Sequence, residues 1–213
     1  LNHAYGIVTH PQDILFTGIQ SIQGTDAVVA REKNYDIKLV AQAKKLRNGK
    51  VAAFVLPQFV KLNEPLSFVK NEYNGVVIES GFADKQFFYG KGAGSFPTAS
   101  AVLSDISALR YDYEYKKLYH HKPHELTSDY YVKAYVSFDN LKYVPKESFE
   151  WIEEWHADND RKYLIGVIHF AELKKDNWWR ENNTTLILTP DPIIEDVEVR
   201  KLKKKSLELA GLV

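Results

Sequence analysis

Apolar positions set out a strand-rich chain. From Asp36 to Leu46, Ile37, Leu39, Ala41 and Ala43 alternate with Lys38, Val40, Gln42 and Lys44. A period of two predicts a strand with one wetter face. Asn48-Gly49 follows, a dipeptide that predicts a type I′ hairpin turn. Lys50 to Val60 is almost wholly apolar, which predicts a central strand covered on both faces. Before this pair, Leu1 to Gly6 reads as a helix tail stopped at Gly6, and Ile14 to Ile19 as a short strand. Thr25 is a candidate cap for a helix from Asp26 to about Lys33. Past it, Pro65 to Val69 predicts one helical turn, and Asn74-Gly75 starts a strand from Val76 to Ser80. A last strand covers Gln86 to Tyr89. The order is β-α-β-β-β-β: an α+β region built on a largely antiparallel sheet.

Beyond residue 128 a smaller unit is predicted. Tyr130, Val132, Ala134, Val136 and Phe138 alternate as a strand, and Pro145 opens a helix in which Phe149, Ile152 and Trp155 share a face. Tyr163 to Phe170 is an apolar strand, Leu173 to Glu181 a short helix, and Thr184 to Thr189 a strand ended by Pro190. That order, β-α-β-α-β, predicts parallel neighbours. Arg110 to Ser128, polar and rich in tyrosine, separates the two units as a linker. The predicted division is therefore 1–110, a linker at 111–127, and 128–213 ending in a charged helix.

Composition narrows the chemistry. Of 213 residues, 45% are hydrophobic, enough for a substantial core. Lys+Arg and Asp+Glu are equal at 28 each, which gives no electrostatic case for nucleic acid or an anionic membrane. Cysteine is absent, so no disulfide, thiolate metal site or cysteine nucleophile exists, in keeping with a cytoplasmic protein. Methionine is absent even at position 1, which reads as a chain not starting at its native start. No signal peptide or bilayer-spanning run is recognisable in these residues. His120, His121 and His124 could bind zinc, but no carboxylate or cysteine completes a ligand set, so a solvated linker is preferred and no metal is expected. His3 reads as a packed or surface residue. The basic run Arg200 to Lys205 is flanked by Glu195, Asp196, Glu198 and Glu208, which favours a solvated helix over nucleic-acid contact. Trp151, Trp155, Trp178 and Trp179 are read as core and interface residues rather than a ligand platform.

The most informative stretch is Gly90 to Ile106. Gly90, Gly92 and Gly94 alternate, Ser95 is a candidate N-cap, and Pro97 suits a first helical turn. Ala99, Val102, Ile106 and Leu109 then make an apolar helix face that begins slim. A glycine loop feeding a helix N-terminus offers free N–H groups and the positive dipole end to an anion. The loop lacks the G-x-G-x-x-G spacing of a Rossmann fingerprint, and no P-loop lysine follows.

The full string Gly-x-Gly-Ala-Gly-x-x-Pro-Thr-Ala-x-Ala-Val-x-x-Asp resembles the closing segment of the homoserine dehydrogenase catalytic region. His3-Ala4-Tyr5-Gly6 with Pro11 and Gly18-Ile19, Ile37 to Ala41 with Ala43-Lys44, Val55-Leu56-Pro57 and Pro65-Leu66 are similar to the family's earlier landmarks. The resemblance covers about Leu1 to Leu109. It implies an oxidoreductase that interconverts aspartate 4-semialdehyde and homoserine with NADP or NAD, in a homodimer or higher homo-oligomer.

On that resemblance Gly92, Ala93 and Gly94 are the cofactor-binding residues, with Gly94 touching the dinucleotide. The family's catalytic Asp and Lys belong to a Gly-x-Asp-x-x-x-Lys stretch that falls before Leu1. Gly24-Thr25-Asp26 imitates its start, but Ala30 stands at the lysine position, so no catalytic residue is expected in this chain. The unit after residue 128 is similar to an ACT-type regulatory domain. The ACT ligand loop carries Asp-x-x-Gly, whereas Asp139-Asn140-Leu141-Lys142 has no glycine, which predicts weak or absent threonine binding. A non-catalytic regulatory or oligomerisation module stands as the other reading.

Overall fold

The computed structural model of the chain describes residues 1–113, 124–175, 178–180 and 183–209. In order, the elements are α1 (Asn2–Tyr5), β1 (Leu15–Phe16), α2 (Gly24–Glu32), β2 (Tyr35–Lys45), β3 (Val51–Lys61), β4 (Tyr73–Ser80) and β5 (Asp84–Lys91). After them come α3 (Ser95–Arg110), β6 (Tyr131–Ser137), β7 (Phe149–Ala157), β8 (Lys162–His169), α4 (Phe170–Lys175), β9 (Thr185–Ile194) and α5 (Asp196–Leu209). The class is α+β, with a core made mostly of sheet.

Seven strands form one sheet in the order β1-β3-β9-β6-β8-β7, with β2 also paired to β3. The sheet runs through both stretches that the sequence separates at 111–127. β2 takes one whole edge of β3, antiparallel, from Tyr35↔Lys61 to Lys45↔Val51. The other edge is shared by three short partners. Leu126 bridges to Val51, β1 pairs in parallel at Phe54 and Val55, and β9 pairs in parallel at Gln58. Val51 and Val55 direct backbone groups to that edge, bonding Glu125, Thr127 and Thr17. By the period of two, so does residue 57. Pro57 therefore omits its N–H where the edge passes from β1 to β9, the place in a central strand where a proline is tolerated.

Both faces of the sheet are covered. On one, Phe54, Leu56, Val132, Ala134, Leu164, Leu186 and Leu188 pack with Phe170 and Leu173 of α4 and with Trp179. On the other, Val29 and Ala30 of α2 pack with Phe59, Tyr135, Tyr163, Ile165 and Ile187. β3 is buried at nearly every position, as its apolar run predicts.

Several local expectations need correction. Asn48 does not take positive φ and Gly49 does, at φ 85°, so the turn is not type I′. Leu46 and Lys50 close a three-residue loop through Leu46 N–H to Lys50 O, 2.8 Å, with Gly49 supplying the left-handed residue. The helix predicted from Pro145 is strand β7 after two 3-10 turns, Leu141–Tyr143 and Lys146–Ser148. Phe149, Ile152 and Trp155 do share a face, since they lie opposite Ile168, Gly166 and Leu164 of β8. Two register shifts, at Phe149/Trp151 and Ile152/Glu154, each add one residue. A period of two plus one extra residue gives the spacing of three that imitates a helix.

The C-terminal neighbours are antiparallel rather than parallel, and no helix intervenes between β6 and β7. The Leu173–Glu181 helix is replaced by α4 and a 3-10 turn at Trp178–Arg180. Nor does Pro190 end its strand. The pairing of β9 with β6 jumps from Ala134↔Leu188 to Val132↔Ile193, so Pro190, exposed Asp191 and Pro192 form a bulge past which the strand resumes.

Candidate functional site

β4 and β5 form a separate antiparallel hairpin that delivers the glycine loop. Its register places Tyr73 opposite Lys91 and Asn74 opposite Gly90. One face carries an aromatic ladder: Tyr73 stacks on Tyr89 with centroids 4.7 Å apart, and the Lys91 ammonium lies 5.5 Å over the Tyr73 ring. Gly90 and Lys91 are the last residues of β5, so the free loop is Gly92-Ala93-Gly94 alone.

Helix α3 begins at Ser95, and its N-cap is Gly94 rather than the expected Ser95. Gly94 holds φ 117° and ψ 160°, a conformation open to glycine and strained for any L side chain. No side chain caps the helix, and its first turn holds no acidic residue. The first intrahelical bond is Thr98 N–H to Gly94 O at 3.1 Å, reinforced by the Thr98 hydroxyl at 2.8 Å. The Ser95 and Phe96 N–H groups precede that bond, at the positive end of a 16-residue helix. Chemically this is a place for an anionic oxygen such as a dinucleotide phosphate. Gly92, Ala93 and Gly94 are thus brought together at one exposed point.

Around this point the surface is apolar. No residue of α3 is buried, and Phe96, Val102, Leu103, Ile106 and Leu109 are all exposed. The hairpin adds Val76, Ile78, Phe87 and Phe88.

The strongest electrostatics lie elsewhere, where α2 meets the sheet. Asp26 is fully buried, accepts the Gln23 N–H at 2.8 Å to close the N-terminus of α2, and accepts the Tyr135 hydroxyl at 2.9 Å. Burial and the Asp26 charge push the Tyr135 phenol up, so it stays protonated and donates. Lys33 gives both carboxylate oxygens of Glu154 hydrogen bonds of 2.8 and 2.7 Å, and Tyr163 adds a third of 2.8 Å. Burial raises the Glu154 pKa, but the bonds from Lys33 and Tyr163 outweigh it and hold the carboxyl below its ordinary range. The Tyr163 phenol is pushed up to about 12, first by burial and then by Glu154. The His156 bond, helped by backbone N–H groups of Arg161 and Asp160, holds Asp158 down to about 2. All these groups are paired: Asp26–Tyr135 and Lys33–Glu154 tie the α2 region to C-terminal strands, and His156–Asp158 holds the turn from β7 to β8.

A groove of about 680 Å³ lies between the segment after α1 and residues 124–128, with Ile7, Asp13, Phe170 and Lys174 in its lining. No residue of the glycine loop lines it. His124, at its rim, bonds the Gly49 carbonyl through Nδ1 at 2.8 Å and meets the Tyr5 ring edge-on. His120, His121 and the His3 side chain lie outside the described residues. So do the side chains of the basic run beyond Leu202. Trp179 is a core residue, its indole N–H bonded to Leu173 O at 3.0 Å, and Trp178 packs on Phe149, whereas Trp155 is 43% exposed beside Phe138. No described helix is long and apolar enough to cross a membrane.

Two contacts at the site escape a reading of composition and period. Glu72 O accepts the Gly92 N–H at 3.0 Å, and the Asn74 side chain fills the space beside Gly92. The signal available was the register of a hairpin that sets a polar residue across from alternating glycines.

Comparison with known proteins bears on this loop. The sequence model of the homoserine dehydrogenase family matches residues 1–107, which end inside α3. The homoserine dehydrogenase of Lactococcus lactis is 27% identical over 93% of this chain and 48% of its own length. That of Helicobacter pylori is 35% identical over 74% of this chain and 38% of its own. In fold, the chain is similar to the crystal structure of a homoserine dehydrogenase from Thiobacillus denitrificans, with a TM-score of 0.61, 19% identity, and coverage of 88% of this chain and 50% of that one. The chain spans about half the length of these relatives.

Proposed function

The chain belongs to the homoserine dehydrogenase family, and from that premise we propose that it is the C-terminal part of an enzyme interconverting L-aspartate 4-semialdehyde and L-homoserine with NADP or NAD, in threonine and methionine biosynthesis. The observation that carries the reading is the uncapped N-terminus of α3 behind Gly92-Ala93-Gly94, within the residues matched to the family. When bound, the nicotinamide dinucleotide supplies the hydride. This chain's share is to hold it: Gly94 lets the backbone approach, and the Ser95 and Phe96 N–H groups face its charge. The exposed apolar side of α3 gives a nucleotide-binding domain a surface to sit on and shut water out.

The acid-base residues that handle the substrate hydroxyl belong, on this reading, upstream of Leu1. The 213 residues alone should therefore show no homoserine-dependent reduction of NADP or NAD, while the protein extended upstream should show it. Turnover by the short chain would overturn the reading.

The finer parts of the proposal are a cytoplasmic homodimer or higher homo-oligomer and an added module at 128–213. Among the described residues β2 pairs only with β3, which leaves an eleven-residue edge for a second copy. A monomer by sedimentation at micromolar concentration would count against it. The added module is read as ACT-like, supported by four antiparallel strands in the order β9-β6-β8-β7. Where an ACT loop needs glycine, Asn140 instead accepts the Lys142 N–H at 3.1 Å and turns the chain itself. Calorimetric titration with threonine should give a dissociation constant weaker than about 1 mM, roughly −4 kcal/mol.

A further inference from the structure

The three glycines before α3 serve different ends, and one of them leads to a residue outside the loop. Gly94 is fixed by its positive φ. Gly92 does not have positive φ, so its backbone would accept a side chain. A Cβ built on Gly92 falls inside the carboxamide of the exposed Asn74, so a side chain there fits only once Asn74 swings aside. Asn74 stands opposite Gly90 and diagonal to Gly92 on one face of the hairpin, within reach of a side chain. Gly90 has nothing within 4 Å of where its Cβ would be, so it leaves room for Asn74 to lean. No hydrogen bond holds the exposed Asn74 carboxamide among the described residues, and it lies in the space beside Gly92.

The opposite side of the same strand end is fixed independently. Glu72 O receives the Gly92 N–H at 3.0 Å, and the Glu72 carboxylate pairs with Lys91 at 3.1 Å. Lys91 lies over Tyr73, which is stacked on Tyr89. The loop therefore leaves β5 held on one face by this ladder and on the other by the Asn74 side chain.

We propose that Asn74 is a positioning residue for the dinucleotide-binding loop. By filling the space beside Gly92 it sets the direction in which Gly92-Ala93-Gly94 leaves the strand, and so where the Ser95 and Phe96 N–H groups point. The inference rests on the reading of that loop as a dinucleotide site.

The test uses the complete enzyme and fluorescence titration with NADPH and NADH, alongside steady-state kinetics and thermal unfolding. Gly92→Ala should weaken dinucleotide binding about tenfold, and Asn74→Ala about threefold, with the KM for homoserine within about twofold of the parent. The decisive variant is the double one. Gly92→Ala with Asn74→Gly should recover binding to within about threefold of the parent, because the vacated carboxamide leaves room for the new methyl group. A double variant that binds no better than Gly92→Ala overturns the inference, as does an equal loss in the KM for homoserine. Should Gly92→Ala fail to fold, Asn74→Ala decides alone: a threefold weakening supports the role and unchanged binding overturns it. Gly94→Ala separates the two readings. If it leaves dinucleotide binding unchanged, the dinucleotide site falls and this inference with it. If it weakens binding while the double variant shows no recovery, only the role of Asn74 falls.

Discussion

The sheet body and the hairpin-helix arm draw on a similar stock of apolar residues and treat it differently. In the body, Val51, Ala52, Leu56, Leu164 and Leu188 are each 0% exposed, and α2 and α4 close the two faces. In the arm, residues 73–110, every position of β5 is exposed and α3 buries nothing. The division does not follow the halves of the sequence, since the body takes strands from both. Nor does it follow the family match, which contains the arm up to residue 107 and less than half of the body. The body's apolar residues supply stability within the chain, whereas those of the arm stay exposed beside the glycine loop.

The largest expected effect tests this contrast directly. Leu56→Ala in the body should cost ~3 kcal/mol of stability in urea unfolding, through lost burial and a cavity. Ile106→Ala in the arm, 57% exposed, should cost less than ~0.5 kcal/mol. Equal losses would break the comparison. Next is the tie between α2 and the sheet. Asp26→Ala removes the carboxylate that closes α2 and leaves the Tyr135 hydroxyl buried without its acceptor, so a loss of ~2 kcal/mol is expected. Tyr135→Phe should cost about as much, since it leaves Oδ1 of the buried Asp26 without its donor.

A smaller effect carries a pH signature. Lys33→Ala should cost ~0.5 to 1 kcal/mol at pH 7, a figure reduced because the Glu154 side chain is 38% exposed to screening solvent. The folded Glu154 carboxyl titrates below its ordinary 4.5. The stabilisation is therefore complete above that value and fades as pH falls through the folded pKa. The gap between parent and variant in urea midpoints should be present at pH 7 and shrink at acid pH. A gap that widens on acidification would contradict the assignment. The smallest effect belongs at the hairpin tip. Phe82→Ser, at a fully exposed position, should leave unfolding within ~0.3 kcal/mol of the parent.

The sequence was legible where structure is local. The central strand, its hairpin partner and the glycine loop with its helix follow from period, turn residues and the freedom of glycine. Legibility failed where one residue too many entered a strand. Phe149, Ile152 and Trp155 carry a spacing of three only because two bulges interrupt β7, and periodicity alone does not distinguish that from a helix. Pro190 looked like an end because a proline cannot pair in a ladder, and the chain answers by looping Pro190-Asp191-Pro192 out. Ser95 lost the cap to Gly94 because the backbone turns one residue earlier. At the site, the glycines could be named from sequence while Asn74 could not, because its bearing on Gly92 exists only once β4 and β5 are in register. The ties Asp26–Tyr135 and Lys33–Glu154 join distant residues, and no local pattern marks them.

The place of β9 governs how the chain can be assembled during synthesis. It follows β6, β7 and β8 in the sequence, yet it lies between β3 and β6 in the interior of the sheet. On the ribosome, β2 and β3 emerge before β6 to β8, and until residues 185–194 are out the two patches are joined through the sheet only by the bridge of Leu126 to Val51. Through that interval the end of β3 at Gln58 and one edge of β6 wait with open backbone groups, as an invitation to other chains. Folding is therefore expected to be slow, with the contacts of long sequence separation that β9 makes formed last.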